Sequence, residues 1–426
     1  MKKRVPTSKL RHFRKADEGQ ALVLTALALV VLMLMAGLGV DVGYLRYRKQ
    51  QMQKAADAGV MAGATEFIYG GKWKAAAISD AAANGFQTGI NGIVVTPNYP
   101  PQTPGDPFQG NRNYVEVIVA QAQPTFFMRV LDHNTVPVSA RALASVAGAA
   151  SGCIYVLDPL ASASFKAAGT IVLLSACGIR VDSSDSSAYT DNGGACVEAA
   201  NGISVHGGVG NPGPGCSTVP QANAAPFPDP FAGLVEPTTP RPCDYTNWHW
   251  TGGPVTLSPG TYCGGITING SASIATFNPG LYILQGGGMT INATSAIHGT
   301  GVTFYNTFDS SGGGFGNISI NGVSNSNLSA PTNSLDPTGA IEGILFFEDR
   351  LAPAKTNNTI NGGSGTTFDG SLYFFASSLN YSGSSSSAGY SIIVADQISI
   401  TGTSMFGDNY SSLADGPPLK SAVMAE

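Results

Sequence analysis

The sequence predicts an N-terminal transmembrane helix, a small α+β module and then a mainly-β domain folded as a parallel β-helix. Three observations support this fold class. Residues 21–40 are an uncharged apolar run, residues 42–149 mix an alanine-rich helix with β-branched runs, and from about residue 150 short apolar strands recur between Gly, Asn and Ser turns. Gly (54) and Pro (26) are abundant and only 12% of residues are charged, which suits turn-rich β-structure better than an ordinary α/β enzyme.

The predicted transmembrane helix takes in residues 20–41. At about 1.5 Å per residue, twenty apolar residues cover the roughly 30 Å hydrocarbon core of a bilayer. The preceding basic head, residues 1–19, has seven Lys or Arg in its first fifteen positions, and such residues favour the cytoplasmic side. A cleaved signal peptide is the alternative, but its apolar run is usually only about 7–15 residues. We expect a single-pass membrane anchor with a cytoplasmic N-terminus.

Residues 42–149 are predicted to form a membrane-proximal helix and the α+β module. Leu45, Met52, Ala56, Gly59 and Gly63 fall on one face of a helix that continues from the span. Small residues let a second backbone approach closely, so this is a candidate assembly face for a partner. The alternative is that the same face packs on the protein's own module.

The first third of the chain carries an ordered set of features. They are Gly19-Gln20 before the apolar run, Gly39–Gly43 (GVDVG) at its end, the aromatic and basic run Tyr44–Lys49, Ala55–Ala58 (AADA), and the later segments Tyr114–Gln121, Gln123–Leu131 and Val136–Ala142. Over roughly the first 150 residues this set resembles Tad/Flp pilus-assembly proteins of the TadG-like kind. The resemblance implies a membrane-anchored component of a surface-adhesion pilus system, with other pilus-assembly proteins or pilins as partners. Pilin-like members have a Glu five residues after the cleaved Gly; here that position is Leu24, so prepilin-peptidase processing is not expected.

Residues 150–412 are predicted to be a β-solenoid ectodomain. Two sets of strands recur, one apolar and aromatic and one leading into Asn-Gly or Thr-Gly turns, and a unit of about 20 residues with insertions accounts for both. In the second set the core isoleucines are Ile268, Ile291, Ile320, Ile360 and Ile400. A β-sandwich is the alternative, although it more often has hairpin turns every 8–12 residues. The proline-rich stretch 211–242 is either a surface excursion or a junction between two halves, and residues 413–426 form a C-terminal tail.

All six cysteines lie after the span: Cys153, Cys177, Cys196, Cys216, Cys243 and Cys263. Successive spacings of 24, 19, 20, 27 and 20 residues nearly match the repeat, so neighbouring cysteines can lie on adjacent rungs at a separation that a disulfide tolerates. Six cysteines allow fifteen connectivities, and sequential pairing is the expectation. Three disulfides place the body outside the cytoplasm, in the periplasm or at the cell surface.

Composition also bears on the function class. From Ser151 onward six Lys or Arg face eighteen Asp or Glu, which argues against nucleic-acid binding. β-Helices also include polysaccharide lyases and hydrolases, so the alternative is a membrane-tethered carbohydrate-active enzyme or a protein that binds surface polysaccharide. Its candidate residues are Asp182, Asp185 and Asp191, the run Glu348–Arg350 and the run Trp248–Trp250. We expect solvated loop acids and loop packing here, and hence no enzyme, no metal and no cofactor.

Overall fold

The computed structural model describes residues 17–68, 71–149, 152–169, 172–192, 194–211, 218–270, 273–292, 296–333, 339–354, 356–386, 389–414 and 416–425. The chain divides into two compact units. The first runs to Phe67 and continues with residues 72–146 and the C-terminal residues from Ala422, while the second comprises residues 68–71 and 147–421. Most of the predicted basic head lies outside the described residues.

The first unit begins with one helix of 52 residues, α1 (Asp17–Ile68). Among the described residues it is the one helix long and apolar enough to cross a membrane, and its most apolar 18-residue window has a mean hydropathy of 2.7. Side chains of this apolar run are exposed, Leu22 by 72% and Leu32 by 65%. Exposure of so many large apolar residues on one segment is costly in water and suits a lipid environment. The predicted span and the predicted membrane-proximal helix are therefore one continuous element.

Against the outer half of α1 packs a short helix and an antiparallel sheet. These elements are α2 (Trp73–Ala83), β1 (Val94–Asn98), β2 (Tyr114–Pro124) and β3 (Thr135–Ala149), with a 3-10 turn at Met128–Leu131 between β2 and β3. β2 pairs with β1 on one side and with β3 on the other, in antiparallel register. Val115, Val117 and Val119 alternate along β2 and are buried, so this face of the sheet forms the core of the α+β module.

The second unit is built of short strands. The first group is β4 (Gly152–Val156), β5 (Phe165–Ala168), β6 (Val172–Ser175), β7 (Gly178–Val181), β8 (Tyr189–Asn192), β9 (Cys196–Ala199), β10 (Ile203–Val205) and β11 (Val209–Asn211). The second group is β12 (Tyr245–Trp250), β13 (Val255–Leu257), β14 (Gly260–Asn269), β15 (Ile274–Phe277), β16 (Gly280–Gln285), β17 (Met289–Asn292), β18 (Ala296–Thr300), β19 (Val302–Thr307), β20 (Ile318–Val323), β21 (Asn327–Ser329), β22 (Ile344–Glu348), β23 (Asn357–Ser386), β24 (Ser391–Thr401) and β25 (Ser404–Phe406). The body is mainly β, as the sequence predicts.

The pairings recorded among the second unit's strands are parallel and form three ladders. One ladder runs β14, β16, β19, β22, β23, β24, β4, β7, β10. The second contains β12, β14, β17, β20 and β23, and also β24, β5, β8 and β11. The third contains β13, β15, β18, β21 and β23, and also β25, β6 and β9.

Register stacks like residues on like. Ile268 pairs with Ile291, Ile291 with Ile320, and Ile320 with Ile360, which is the series of isoleucines expected from the repeat. All of these side chains are fully buried. Because equivalent positions on paired strands lie about 4.8 Å apart, such a series builds a continuous apolar core.

Aromatic side chains form a second buried stack in the first ladder. Ring centroids are 5.9 Å apart for Tyr262 and Tyr282, 5.2 Å for Tyr282 and Phe304, and 5.1 Å for Phe304 and Phe346. These rings come from successive paired strands. Contacts at this spacing add about 0.5–1.5 kcal/mol per pair beyond the burial of apolar area.

Glycines occupy corners where backbones meet. A Cβ on Gly287 would lie 2.0 Å from the carbonyl carbon of Gly264, and one on Gly288, whose φ is +64°, would lie 2.2 Å from the carbonyl oxygen of Asn317. Only glycine allows both the close approach and the left-handed conformation. The abundance of glycine is therefore a requirement of the stacked corners.

Strand order in space differs from strand order in the chain. β24 near the end of the sequence pairs in parallel with β4 and β5, the first strands of the second unit, so that Ile393 lies opposite Ile154 and Ile398 opposite Phe165. The strands from β4 to β11 thus continue the stack beyond β24. The chain after β11 must return along the whole stack to begin β12 at its other end.

Residues 218–244, which we call the strap, make that return. Gln221 bonds to Val205 in β10, the amide of Phe227 donates to Asp182 after β7, and Arg241 donates its amide to Gln285 in β16 at 2.9 Å. The strap therefore contacts the two ends of the stack and strands between them. The structure thus places the proline-rich stretch on the outside of the strands, while residues 212–217 lie outside the described residues.

The C-terminal residues correct one prediction. Residues 413–426 are predicted as a tail, but Lys420–Met424 form β26, the fourth strand of the module's sheet beside β3. The amide of Ala425 donates to the carbonyl oxygen of Leu143 at 2.9 Å. Five residues with modest apolar content carry too weak a pattern to identify a strand whose hydrogen-bond partners lie almost 300 positions earlier.

Candidate functional site at the membrane exit of α1

Asp41, the first charged residue after the apolar run, is fully buried. Its carboxylate accepts hydrogen bonds from the backbone amides of Phe126, Phe127 and Met128 at 2.8, 2.9 and 2.7 Å. These amides open the 3-10 turn between β2 and β3 and would otherwise have no partner within it. Burial of a carboxylate is costly unless such donors satisfy it. Asp41 therefore fixes the β2–β3 turn to the helix at the point where the apolar run ends.

The turn also contacts α1 on the apolar side of Asp41. A Cβ on Gly37 would lie 2.5 Å from a ring carbon of Phe127, so the ring rests directly on the helix backbone. Tyr44 makes an edge contact with Phe126, with ring centroids 5.3 Å apart. Gly37, Asp41 and Tyr44 are spaced by four and three residues and share one helix face. The GVDVG segment and its flanks thus form a seat for the turn.

One helical turn further on, Arg48 ties α1 to the end of β2. Its Nε donates to the side-chain oxygen of Gln123 at 3.1 Å, and its Nη2 donates to that of Gln121 at 2.9 Å. The guanidinium lies over the ring of Phe86, 5.3 Å from its centroid. The basic and aromatic run after the span therefore has a structural use, because its members bind the sheet.

The predicted assembly face requires a correction. Met52, Ala56, Gly59 and Gly63 are buried within the protein's own module, and Leu45 is half-buried. The face identified by its small residues is thus not available to a partner. The helical spacing is right, but spacing alone does not say which surface covers a face.

The contacts of the two glycines show what does cover it. A Cβ on Gly59 would lie 2.8 Å from the carbonyl oxygen of Ala77, and one on Gly63 would lie 3.1 Å from the Cβ of Ala77. Ala77 lies in α2 and is fully buried. The small residues on α1 therefore let α2 approach closely, which is the alternative that the sequence left open.

Glu116 in β2 is the other buried charge of the module. It accepts hydrogen bonds from Asn98 at 2.8 Å and from the amide of Gln102 at 3.0 Å, as well as from Thr103 and Arg141. Burial opposes its ionisation, but these bonds outweigh burial and lower its pKa to about 2. Glu116 thus ties the 98–103 loop to the sheet as a permanent anion.

Two of the three sequential cysteine pairs are disulfides. Cys153 pairs with Cys177 and Cys243 with Cys263, each with a Cα–Cα separation of 5.6 Å. Cys196 is also disulfide-bonded, while Cys216 lies outside the described residues. The first pair joins neighbouring strands at β4 and β7, and the second fastens the end of the strap to β14.

The predicted acidic run is divided between interior and strap. Glu348 is fully buried and accepts hydrogen bonds from Asn358 at 3.0 Å and from Ser377, and burial raises its pKa to about 7. Asp349 accepts a hydrogen bond from Thr307 at 2.7 Å. The expected local ion pair of Arg350 is wrong, because its guanidinium lies 3.3 Å from the carboxylate of Glu236, 114 residues away in the strap.

Arg350 is the main polar contact of the strap. Its Nη2 donates to the carbonyl oxygens of Phe231 and Leu234 at 2.7 and 2.9 Å. Tyr373 donates to Asp229 at 2.6 Å, and burial raises the pKa of that carboxyl. Bonds from one guanidinium to strap carbonyls satisfy groups that no strand partner reaches.

The other candidate residues do not converge on one site. Asp182 accepts from the amide of Phe227, Asp185 accepts from the amide of Ser187 at 2.8 Å, and Asp191 accepts from Tyr189 at 3.4 Å. Each acid thus has its own partner. The described residues contain no group of three or more His, Cys, Asp or Glu placed to hold a metal ion.

The Trp248–Trp250 run lies in β12, at the end of the second ladder. Trp248 packs edge-on to Tyr262, with centroids 6.4 Å apart, and the indole of Trp250 donates to the carbonyl oxygen of Gly253 at 2.8 Å. His249 is exposed. Nearby, a cleft of about 340 Å³ lies at the end of the strap, with Arg241 and Asp244 as its charged lining residues.

Sequence reasoning missed the apolar turn itself. Phe126, Phe127, Val130 and Leu131 are exposed by 52, 47, 74 and 67%. The signal was present, because an apolar cluster in a connection between two strands has no place in the core of a small sheet.

Residues 19–66 match the family described as Putative Flp pilus-assembly TadE/G-like. The match confirms the Tad/Flp resemblance over the span and the outer half of α1, and it contains Asp41, Tyr44 and Arg48. The β2 and β3 segments that carried the rest of the resemblance lie outside the matched residues. Comparison with curated proteins and with solved structures gives no match.

Proposed function

We propose that this chain is a membrane-anchored structural or assembly component of a Tad/Flp-type pilus or surface-adhesion system, with its body outside the cytoplasm. One observation carries the proposal. The residues that match the pilus-assembly family are the same residues that form the apolar span and the seat for the β2–β3 turn. The family signature in this chain is therefore an anchor joined to a folded module.

The proposed orientation has two supports. The basic residues before the apolar run favour retention of the N-terminus in the cytoplasm. Disulfides persist in oxidising compartments, and Cys153–Cys177 and Cys243–Cys263 both lie in the body. The proposed location of the body is the periplasm or the cell surface.

We interpret the three parallel ladders as a parallel β-helix. Parallel strands need long connections, and a chain that coils lays each strand beside its equivalent in the previous turn. The registers of β14, β16 and β19, 20 to 22 residues apart, fit such coiling. A rod of this kind suits the display of a surface.

A structural rather than catalytic role is proposed for the body. Glycoside cleavage needs two carboxyl groups that flank a substrate. Glu348 is fully buried and hydrogen-bonded to other side chains, and Asp182, Asp185 and Asp191 each have separate partners. These placements support the role of component over that of tethered carbohydrate-active enzyme.

The test is affinity purification of the detergent-solubilised chain from its own cells, with mass spectrometry of the proteins that accompany it. We expect pilus-assembly proteins or pilins to be recovered with the native chain. The matched control replaces residues 21–40 with an unrelated apolar span of equal length, and a second control substitutes Asp41→Ala to release the turn from its seat.

The outcomes separate anchoring from assembly. Recovery of pilus components by the native chain and by the replaced-span chain, but less by Asp41→Ala, would assign assembly to the module that Asp41 organises. Recovery of none by the native chain would contradict the proposed function.

A further inference from the structure

The turn between β2 and β3 presents an apolar surface that nothing in the described chain covers. We call residues 126–131 the tip. Four of its six side chains, those of Phe126, Phe127, Val130 and Leu131, are large, apolar and exposed by 47 to 74%. Complete burial of one such side chain is worth about 1.5–3 kcal/mol. A rigid turn that keeps four of them exposed indicates a binding surface.

The tip lies beside the membrane-spanning part of α1. The ring of Phe127 rests on Gly37, which precedes Asp41 by four residues, or about 6 Å along the helix axis. Gly37 belongs to the uncharged run 21–40. When α1 spans a bilayer, the ring of Phe127 is therefore at the depth of the apolar run.

The tip is held rigidly in that place. Asp41 fixes the amides of residues 126–128, and the amide of Thr125 donates to the carbonyl oxygen of Asn134 at 3.1 Å, which closes the hairpin below the tip. The tip therefore reaches this depth in the folded module and needs no rearrangement.

The chemistry of the neighbouring residues suits the boundary between headgroups and acyl chains. Tyr44, against Phe126, and Tyr47, which is 56% exposed, are aromatic residues at the level where such side chains concentrate. Arg129, Asp132 and His133 are exposed beside the apolar residues. A long Arg side chain can reach lipid phosphates while apolar neighbours remain in the acyl region.

We propose that the tip is a second membrane contact, which inserts Phe126, Phe127, Val130 and Leu131 into the lipid interface of the leaflet from which α1 emerges. The occupant of this surface is the lipid bilayer, because the surface is continuous with the apolar face of the spanning helix. The inference rests on the proposed anchoring by α1. A helix alone can tilt and rotate in a bilayer, whereas two contacts set the orientation of the module against the membrane.

Single tryptophans test the insertion in the full-length chain reconstituted in nanodiscs with lipids brominated on the acyl chain. Val130→Trp and Leu131→Trp place the probe on the most exposed positions of the tip, where neither change disturbs a buried contact. Arg112→Trp, exposed in the connection before β2 and remote from the tip, is the control for the module. Leu29→Trp reports on the span itself. Emission of the wild-type chain, which contains three Trp, is subtracted.

We expect brominated lipid to reduce the added emission of Val130→Trp and Leu131→Trp by about half, because side chains buried roughly 5–10 Å into the interface lie near acyl chains. Arg112→Trp should show no reduction. Quenching of Leu29→Trp without quenching at either tip position would overturn the proposal and leave the anchor intact. Blue-shifted but unquenched tip emission means that protein covers the tip, which also overturns it. Absence of quenching at Leu29 would overturn both the anchor and the tip.

Discussion

At the scale of single residues, two buried glutamates titrate in opposite directions. Glu116 receives four donors and its pKa is lowered to about 2 despite burial, while burial raises the pKa of Glu348 to about 7. The difference follows from the donors. Glu116 has a guanidinium and a backbone amide, whereas Glu348 has only neutral side chains in an apolar interior. One carboxyl is a stabilising anion and the other is an acid that folding keeps protonated.

Glu348 makes the stability of the β body depend on pH. Its pKa is about 4.5 when unfolded and about 7 when folded, so the protonated form stabilises fully below pH 4.5 and this contribution is lost as the pH rises to about 7. The loss is on the order of 3 kcal/mol for the shift of the pKa. We expect Glu348→Gln to gain stability relative to wild type between pH 5 and pH 8. Hydrogen exchange of β22 peptides in the full chain measures this difference.

Glu198→Gln is the matched control, because Glu198 is an exposed acid in another strand of the same unit. Its protection relative to wild type should not vary over the same pH range. If wild type and Glu348→Gln show the same pH dependence at β22, then Glu348 is not held protonated in the folded protein.

How much of these sites the sequence predicts depends on distance along the chain. Alternation in a strand predicts that Glu348 and Asp349 point to opposite sides, and the structure gives them different partners. The pairing of Arg350 with Glu236 had no local signal, because proline-rich residues carry no period that says which strands they cross. The depth of Phe127 beside Gly37 was equally hidden, since it depends on how the turn folds back on α1.

At the scale of elements, α1 combines a lipid-facing half with a half that packs on the module. The spacing of its small residues was readable from sequence, and its interpretation was not. Both a partner helix and the protein's own α2 require small residues at the contact. The structure fills the contact with α2, through Ala77 against Gly59 and Gly63.

The contact of α1 with α2 can be tested with one pair of substitutions. Gly59→Ala puts a Cβ 2.8 Å from the carbonyl oxygen of Ala77, so the helices must separate, whereas Gly43→Ala meets nothing within 4 Å. Both changes gain about 1 kcal/mol in helix propensity. Overpacking costs typically 1–3 kcal/mol and applies to Gly59 alone. We expect faster hydrogen exchange in α2 for Gly59→Ala and none of this loss for Gly43→Ala; equal protection in the two variants would argue against the packing described.

At the scale of the whole molecule, the periodic strands were predictable and their spatial order was not. The repeat of about 20 residues fixes which isoleucines stack, because each turn of the chain must satisfy the same core. The join between β24 and β4 arises from the closure of two distant segments. Strands of one repeat have interchangeable edges, so their sequences hold no information on which edge meets which.

The account of the molecule depends most on which side of the membrane its body occupies. Lysine accessibility measures this directly, since Lys9 and Lys15 lie in the basic head, whereas Lys74 of the module and Lys166 of the body are both exposed. Spheroplasts are treated with a membrane-impermeant amine reagent, and modified lysines are located by mass spectrometry before and after permeabilisation. Labelling of Lys74 and Lys166 in sealed spheroplasts, with Lys9 and Lys15 labelled only after permeabilisation, is the result expected for an exported body on a cytoplasmic N-terminus. Protection of Lys74 and Lys166 until permeabilisation would contradict it.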